Sequence, residues 1–239
     1  MSALIVSIIA LVVMLFVNVL IGIIIAFVGL VLGIVGVTQK DKQAIAGLIV
    51  SIIVIAISAV AMFRATKFAT STIDNSRKDS FGTIAREYIN MVRNANESGE
   101  IECSVNASEP GSGFQTGIED GKTYYVFVTT NKNAVTSNFS GFDSSIVEKA
   151  ESQTNNYMEG NGKSPWNNDD VFGWVKISKT GERPSYSLAL TDTSGHGIPT
   201  DTAEKDIKRS TIETENAKAD MSKTLKAISD GSTYYCYIK

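Results

Sequence analysis

The sequence predicts an α+β protein in which N-terminal transmembrane helices precede a small antiparallel β-sheet. Three observations lead to this prediction. Residues 1–63 carry only three charged side chains, Lys40, Asp41 and Lys42. The next thirty-five residues keep a helical period of apolar side chains, and the remainder contains short β-type runs bounded by turn residues. We therefore expect the last membrane helix to continue into the polar part and to pack on the sheet.

Residues 1–63 form the predicted transmembrane anchor, with apolar stretches at Ala3–Val37 and Gln43–Phe63 and a basic loop at 38–43. About 20 helical residues cross a hydrocarbon core, so each stretch is long enough. No Lys or Arg precedes Lys40, which argues against a cleaved signal peptide. Ala3–Val37 is long for one span, and a hairpin near Asn18–Gly22 is favoured over a single tilted helix. The anchor then has two or three spans.

Gly29 and Gly33 form a small-xxx-small pair, which lets membrane helices approach closely. We expect helix–helix packing there, although glycine is also simply common in membrane helices. The segment Gly29–Ile55, GLVLGIVGVTQKDKQAIAGLIVSIIVI, resembles a family of small bacterial membrane domains of unknown function. That resemblance implies an integral membrane location and no chemistry.

The last membrane helix is predicted to run from Ala44 to Ser98, because no proline or glycine interrupts residues 48–81. Gly82 lowers the stability of the helix by about 1 kcal/mol relative to alanine. Gly99 is expected to cap the C-terminus of the helix. Residues 64–98 form an amphipathic extension whose apolar positions mostly recur every three or four residues. These positions are Phe68, Ile73, Phe81, Ile84, Tyr88, Val92 and Ala95.

Residues 99–239 are predicted to form the sheet domain. The expected strands are Thr123–Thr129, Val171–Ser178, Ser185–Thr191 and Thr233–Lys239, with a hairpin joining the second to the third. Phe142–Tyr157 and Asp201–Asp230 are expected to be helical or irregular surface segments.

Strand alternation places Tyr125 and Phe127 on one face of the sheet and Tyr124 and Val126 on the other. Core packing is favoured over an exposed aromatic binding platform.

Residues 64–239 carry a net charge of −4, the chain total of −3 less the +1 of the Lys-Asp-Lys triplet, without clustered Lys or Arg. This argues against a nucleic-acid partner.

His196 lies between two glycines, and no nucleophile motif accompanies it, so a turn residue is favoured over a catalytic one. Asn167–Asp170 and Asp192–Gly197 lack the spacing of a calcium loop and are expected to be solvated turns. We predict no catalytic residue, no cofactor and no metal, and therefore no enzyme.

Cys103 and Cys236 are either a disulfide or two buried thiols, and the disulfide is favoured. A disulfide indicates an oxidising, extracytoplasmic side, and closing so long a loop contributes roughly 4–5 kcal/mol to stability in the loop-entropy description.

The number of basic residues on each side of the last span indicates the opposite orientation. Lys40 and Lys42 precede the last span but four basic residues follow it, Arg64, Lys67, Arg77 and Lys78, which alone would place the domain in the cytoplasm.

Residues 64–239 resemble the type IV pilins and pseudopilins of Gram-positive bacteria. The similarity is carried by Ser76–Ala95 (SRKDSFGTIAREYINMVRNA), Gly162–Asp192 and the late cysteine Cys236. It implies a pilin-like helix on a sheet, facing outside the bacterial cytoplasmic membrane. The basic leader, cleavage site and membrane-embedded glutamate of pilin precursors are absent before and within the helix that begins near Ala44, so filament formation is not implied.

These inferences together predict a non-catalytic, membrane-anchored surface protein for envelope assembly, adhesion or interaction. Its partners would be the membrane and either further copies of itself or other envelope proteins. The alternative is a cytoplasmic-facing membrane accessory or regulatory module with free cysteines.

Overall fold

A computed structural model describes residues 27–35, 42–104, 114–116, 118–138, 144–218 and 234–239. The number of spans within Ala3–Val37 and the basic loop at 38–43 fall largely outside these residues. The chain divides into two compact units, Met1–Ile73 and Asp74–Lys239. Each unit is described by itself below.

In the first unit, helix α1 covers residues 27–35 and helix α2 begins at Lys42. Among the described residues, one helical stretch, Ile49–Glu97, is long and apolar enough to cross a membrane. Gly29 and Gly33 are buried on α1, as are Ser51, Val54 and Ser58 along one stripe of α2. Buried glycines four residues apart are compatible with close helix packing, and the partner of the glycine pair stays a prediction.

Helix α2 runs from Lys42 to Glu97, 56 residues, close to the predicted Ala44–Ser98. Gly99 ends it as predicted, with φ +71°. The Glu100 amide donates to the Ala95 carbonyl at 2.8 Å and the Gly99 amide donates to the Asn96 carbonyl at 3.2 Å. This pair of hydrogen bonds is the Schellman motif, which uses a left-handed glycine to satisfy the last carbonyls of a helix.

In the described part of the chain, the second unit contains one sheet. Its strands, within the described residues, are β1 (Ile101–Ser104), β2 (Phe114–Thr116), β3 (Thr123–Thr129), β4 (Val171–Lys179), β5 (Pro184–Asp192), β6 (Gly197–Ala203) and β7 (Tyr234–Ile238). Their order is β2-β1-β7-β3-β4-β5-β6. The α+β class and the β4–β5 hairpin are confirmed.

The prediction of an antiparallel sheet is wrong at one point, because β7 pairs in parallel with β3. β7 also pairs antiparallel with β1, so it lies inside the sheet between two strands distant from it in sequence. A parallel neighbour requires a long connection, which no local turn signal reveals.

The C-terminal part of α2 packs on one face of this sheet. Phe81, Tyr88 and Val92 are fully buried in one core cluster with Tyr124 and other sheet residues. Two short 3₁₀ turns, Glu204–Asp206 and Arg209–Thr211, lie in a strap (204–212) against the same helix. The Arg86 guanidinium donates to the Ile207 carbonyl at 2.7 Å, and Arg209 forms a two-bond ion pair with Asp79.

The opposite face of the sheet is covered by helices α3 (Lys132–Asn138) and α4 (Ser144–Met158). Ile146, Val147 and Ala150 of α4 are buried with Tyr125 and Trp174 in a second core cluster. Of the two alternatives expected for Phe142–Tyr157, the helical one is confirmed over Ser144–Met158, and the apolar positions of this helix face the sheet rather than solvent. The predicted alternation of Tyr124 and Tyr125 between the two faces is confirmed.

Candidate functional site

Cys103 and Cys236 form a disulfide between β1 and β7. They lie directly opposite each other in the strand register, and 133 residues separate them in sequence. Both are buried, with 1% and 0% of their surface exposed. Sequence reasoning named this pair, and the structure brings it together inside the core shared by α2 and the sheet.

A charged cluster lies next to the disulfide, built on the adjacent register pair Glu102 and Tyr237. The Tyr237 hydroxyl donates to Glu102, and Lys149 Nζ of α4 donates to the Tyr237 hydroxyl at 2.8 Å. Lys239 Nζ lies 3.1 Å from Glu102. These residues line a cavity of about 290 Å³.

The charges in this cluster compensate one another. The hydrogen bond from Tyr237 and the neighbouring Lys239 lower the pKa of Glu102. Burial and the hydrogen bond to Glu102 raise the pKa of Tyr237, and the hydrogen bond to Tyr237 raises the pKa of Lys149. The phenol therefore stays protonated at neutral pH. The cluster ties α4 to the disulfide-linked strands and presents no activated nucleophile.

His196 lies in the turn between β5 and β6, as predicted for a turn residue. Its Nδ1 is 2.8 Å from Asp192 Oδ2, and its ring stacks on Trp166 with centroids 4.5 Å apart. Asp192 is fully buried and also accepts a hydrogen bond from Ser164 Oγ at 2.7 Å. Because the serine donates to the carboxylate rather than to the imidazole, these three residues do not form a Ser-His-Asp relay.

The carboxylates of the two acidic runs, Asn167–Asp170 and Asp192–Gly197, are hydrogen-bonded to other groups of the protein. Asp170 accepts from Asn131 Nδ2 at 2.9 Å and pairs with Lys163 Nζ at 3.1 Å, and Asp169 accepts from Ser194. Burial opposes ionisation of Asp170, but these hydrogen bonds outweigh it and lower its pKa. In the part of the chain that the structure describes, no three His, Cys, Asp or Glu side chains are grouped to hold a metal ion.

A groove of about 340 Å³ lies between α2 and the end of α4, and Met91 and Met158 form its apolar part. Its lining is rich in amide and carboxylate side chains and includes Glu87, Asn90, Asn94, Tyr157, Glu159 and Asn161. The Tyr157 hydroxyl donates to Glu100 Oε2 at 3.0 Å, which holds the half-exposed ring at the groove. Sequence reasoning missed this groove. The only signal was the Asn90–Asn94 pair one turn apart on the polar side of α2.

The apolar stripe predicted on α2 is divided. From Phe81 onward its members are mostly buried, whereas Phe68 and Ile73 are exposed. We call residues 62–73 the exit segment, because they comprise the end of the apolar part of α2 and the residues that follow it. Met62, Phe63, Phe68 and Ile73 of this segment expose 45%, 62%, 75% and 53% of their surfaces. A helix with such large exposed apolar side chains is a candidate contact surface.

Comparison with known proteins found no protein-family model, no curated protein and no solved structure that matches the chain.

Proposed function

We propose that this chain is a membrane-anchored bacterial surface protein with a pilin-like extracytoplasmic domain. Its role would be non-catalytic, in envelope assembly, adhesion or interaction. The observation that carries the proposal is the buried Cys103–Cys236 disulfide, since structural disulfides form and persist in oxidising compartments. The domain that holds it begins on the same helix whose earlier part is apolar enough to span a membrane.

One arrangement along α2 supports a pilin-like domain. A single helix is apolar in its first half and amphipathic in its second, and the second half packs on the sheet. The parallel β3–β7 pair and the second helical layer α3–α4 go beyond the simple plan of one helix on an antiparallel sheet. The groove between α2 and α4 combines amides, carboxylates and a tyrosine with two methionines and is a candidate contact site for another envelope component.

A cytoplasmic-facing accessory or regulatory module is the second candidate. It is favoured by the four basic residues Arg64, Lys67, Arg77 and Lys78 that follow the apolar part of α2. In that case the cysteines would remain free thiols in the reducing cytoplasm.

The two candidates are separated by the side on which the β4–β5 turn is found. Glu182 is exposed in that turn, so Glu182→Cys supplies an accessible thiol that the buried native cysteines do not. We expect a membrane-impermeant maleimide to label it on intact cells. A chain that also carries Cys103→Ser and Cys236→Ser controls for disulfide exchange with the new thiol.

The native cysteines are tested in parallel, in cells that produce the chain with Glu182 unchanged. After acid quenching and denaturation, a maleimide should modify them only if a reductant has been added. Labelling of Glu182→Cys only after permeabilisation, together with native thiols that react without reductant, would instead establish the cytoplasmic module.

A further inference from the structure

The exit segment lies about one membrane thickness along α2 from the start of its apolar part. The apolar part of the helix, Ala44–Phe63, contains twenty residues. At 1.5 Å per residue this is about 30 Å, the thickness of a hydrocarbon core. If α2 crosses a membrane, Phe63 therefore lies at the end of the hydrocarbon and the next turn lies among the headgroups.

The side chains at this level combine exposed aromatic rings with cations. Phe63 and Phe68 expose 62% and 75% of their surfaces, and Arg64 and Lys67 between them are exposed. Lys67 Nζ lies 4.6 Å from the centroid of the Phe63 ring. No acidic residue occurs between Asp41 and Asp74. Phenylalanine side chains beside Lys and Arg occur in helices that bind at the membrane–water interface.

Three of the four hydroxyl side chains of the exit segment, those of its threonines, are hydrogen-bonded within the helix. Thr66, Thr70 and Thr72 each donate to the backbone carbonyl four residues earlier, at 2.9 Å. Such bonds satisfy the hydroxyl within the helix, as in helices surrounded by lipid. A poorly hydrated environment therefore leaves no polar group of these threonines unpaired.

We propose that the exit segment binds anionic lipid headgroups, with Arg64 and Lys67 on the phosphates and Phe63 and Phe68 in the interfacial layer. This inference rests on the membrane anchoring proposed above. Charge favours lipid over a second copy of the segment, because two segments with only positive side chains repel each other whereas anionic headgroups attract both cations.

The first test places a probe on the segment in the full chain. Phe68→Trp is reconstituted in nanodiscs that contain lipids brominated near the glycerol end of the acyl chains. We expect its fluorescence to be quenched well beyond that of the unmodified chain. The native Trp166 and Trp174 expose only 5% and 0% of their surfaces and supply the background.

The second test concerns headgroup charge. Nanodiscs of phosphatidylcholine with phosphatidylglycerol are exchanged into mild detergent, and the phosphatidylglycerol retained by the chain is quantified. Arg64→Gln with Lys67→Gln should lower its enrichment by roughly fivefold for each cation removed. Arg77→Gln with Lys78→Gln removes the same charge from the second unit and should leave the enrichment unchanged.

The outcomes separate the inference from the function on which it rests. A chain that alkaline extraction removes from membranes would overturn both. If the Phe68→Trp chain inserts, but the fluorescence of the introduced indole is blue-shifted without lipid quenching, protein covers the segment and the inference alone is overturned. Equal phosphatidylglycerol retention by the two double variants would also overturn the inference alone.

Discussion

Gly82 is the one glycine in the packed part of α2, and a methyl group would fit there. A Cβ at this position would lie 3.6 Å from Ile207 Cγ2 and 3.6 Å from Ile212 Cδ1, which is ordinary van der Waals contact. Alanine also restricts the unfolded chain and favours the helix. We expect Gly82→Ala to raise the free energy of unfolding by about 1 kcal/mol, measured by denaturant titration.

Gly173 in β4 is the matched glycine for this experiment. A Cβ there would lie 2.1 Å from the Ala189 carbonyl oxygen of the neighbouring strand, so the backbone would have to move. Gly173→Ala should therefore destabilise the domain under the same conditions. A destabilised Gly82→Ala would mean that Ile207 and Ile212 cannot adjust, and that the strap packs more rigidly than the distances indicate.

At the scale of single residues, the sequence predicted which aromatic side chains share a face, because strand alternation is a local rule. It could not predict that Trp166 stacks on His196 or that Ser164 reaches Asp192. Those contacts join the loop before β4 to the turn after β5, and no pattern within either segment encodes their approach.

At the scale of elements, the disulfide is the covalent link between β1 and β7, in addition to the strand hydrogen bonds and the contacts of Glu102 with Tyr237 and Lys239. Replacement of Cys103 and Cys236 by serine should lower the free energy of unfolding by roughly 4–5 kcal/mol, because the unfolded chain loses a long loop constraint. Chemical denaturation of the variant and of the oxidised chain measures this difference. A loss below about 1 kcal/mol would indicate that strand pairing alone fixes β1.

The elements predicted correctly carry strong local signals: α2 has its long period and its capping glycine, and the β4–β5 hairpin has two β-rich runs around a turn. Three strands were missed. β1 and β2 are only four and three residues long, and β6, GIPTDTA, combines glycine and proline with polar residues. Their strand conformation depends on the neighbours they pair with, which the sequence alone does not reveal.

At the scale of the whole domain, tyrosines on both sheet faces link stability to alkaline pH. Burial raises the pKa of Tyr88, Tyr125, Tyr186 and Tyr237. A raised pKa means that folding favours the protonated phenol. The stability this contributes is fully present below the ordinary pKa of about 10 and is lost as the pH rises through the folded values. We expect the thermal midpoint to fall above about pH 10.

Tyr88→Phe provides the matched variant for the alkaline transition. The hydroxyl donates to the Gly162 carbonyl at 3.0 Å, so its removal should cost about 1 kcal/mol at neutral pH. Because phenylalanine does not ionise, the same variant should lose less stability between about pH 9 and 11 than the unmodified chain does. An unchanged alkaline slope would show that Tyr88 does not contribute to it.

The interior position of β7 also sets an order of events during biosynthesis. Residues 101–104 leave the ribosome long before residues 234–238, yet β7 lies between β1 and β3 in the finished sheet. Until residues 234–238 have been synthesised, the sheet between those strands cannot be completed, and Cys103 has no Cys236 with which to form the disulfide. An interrupted translation product would thus expose an open β3 edge and a lone thiol, two features by which cellular quality control can distinguish it from the completed protein.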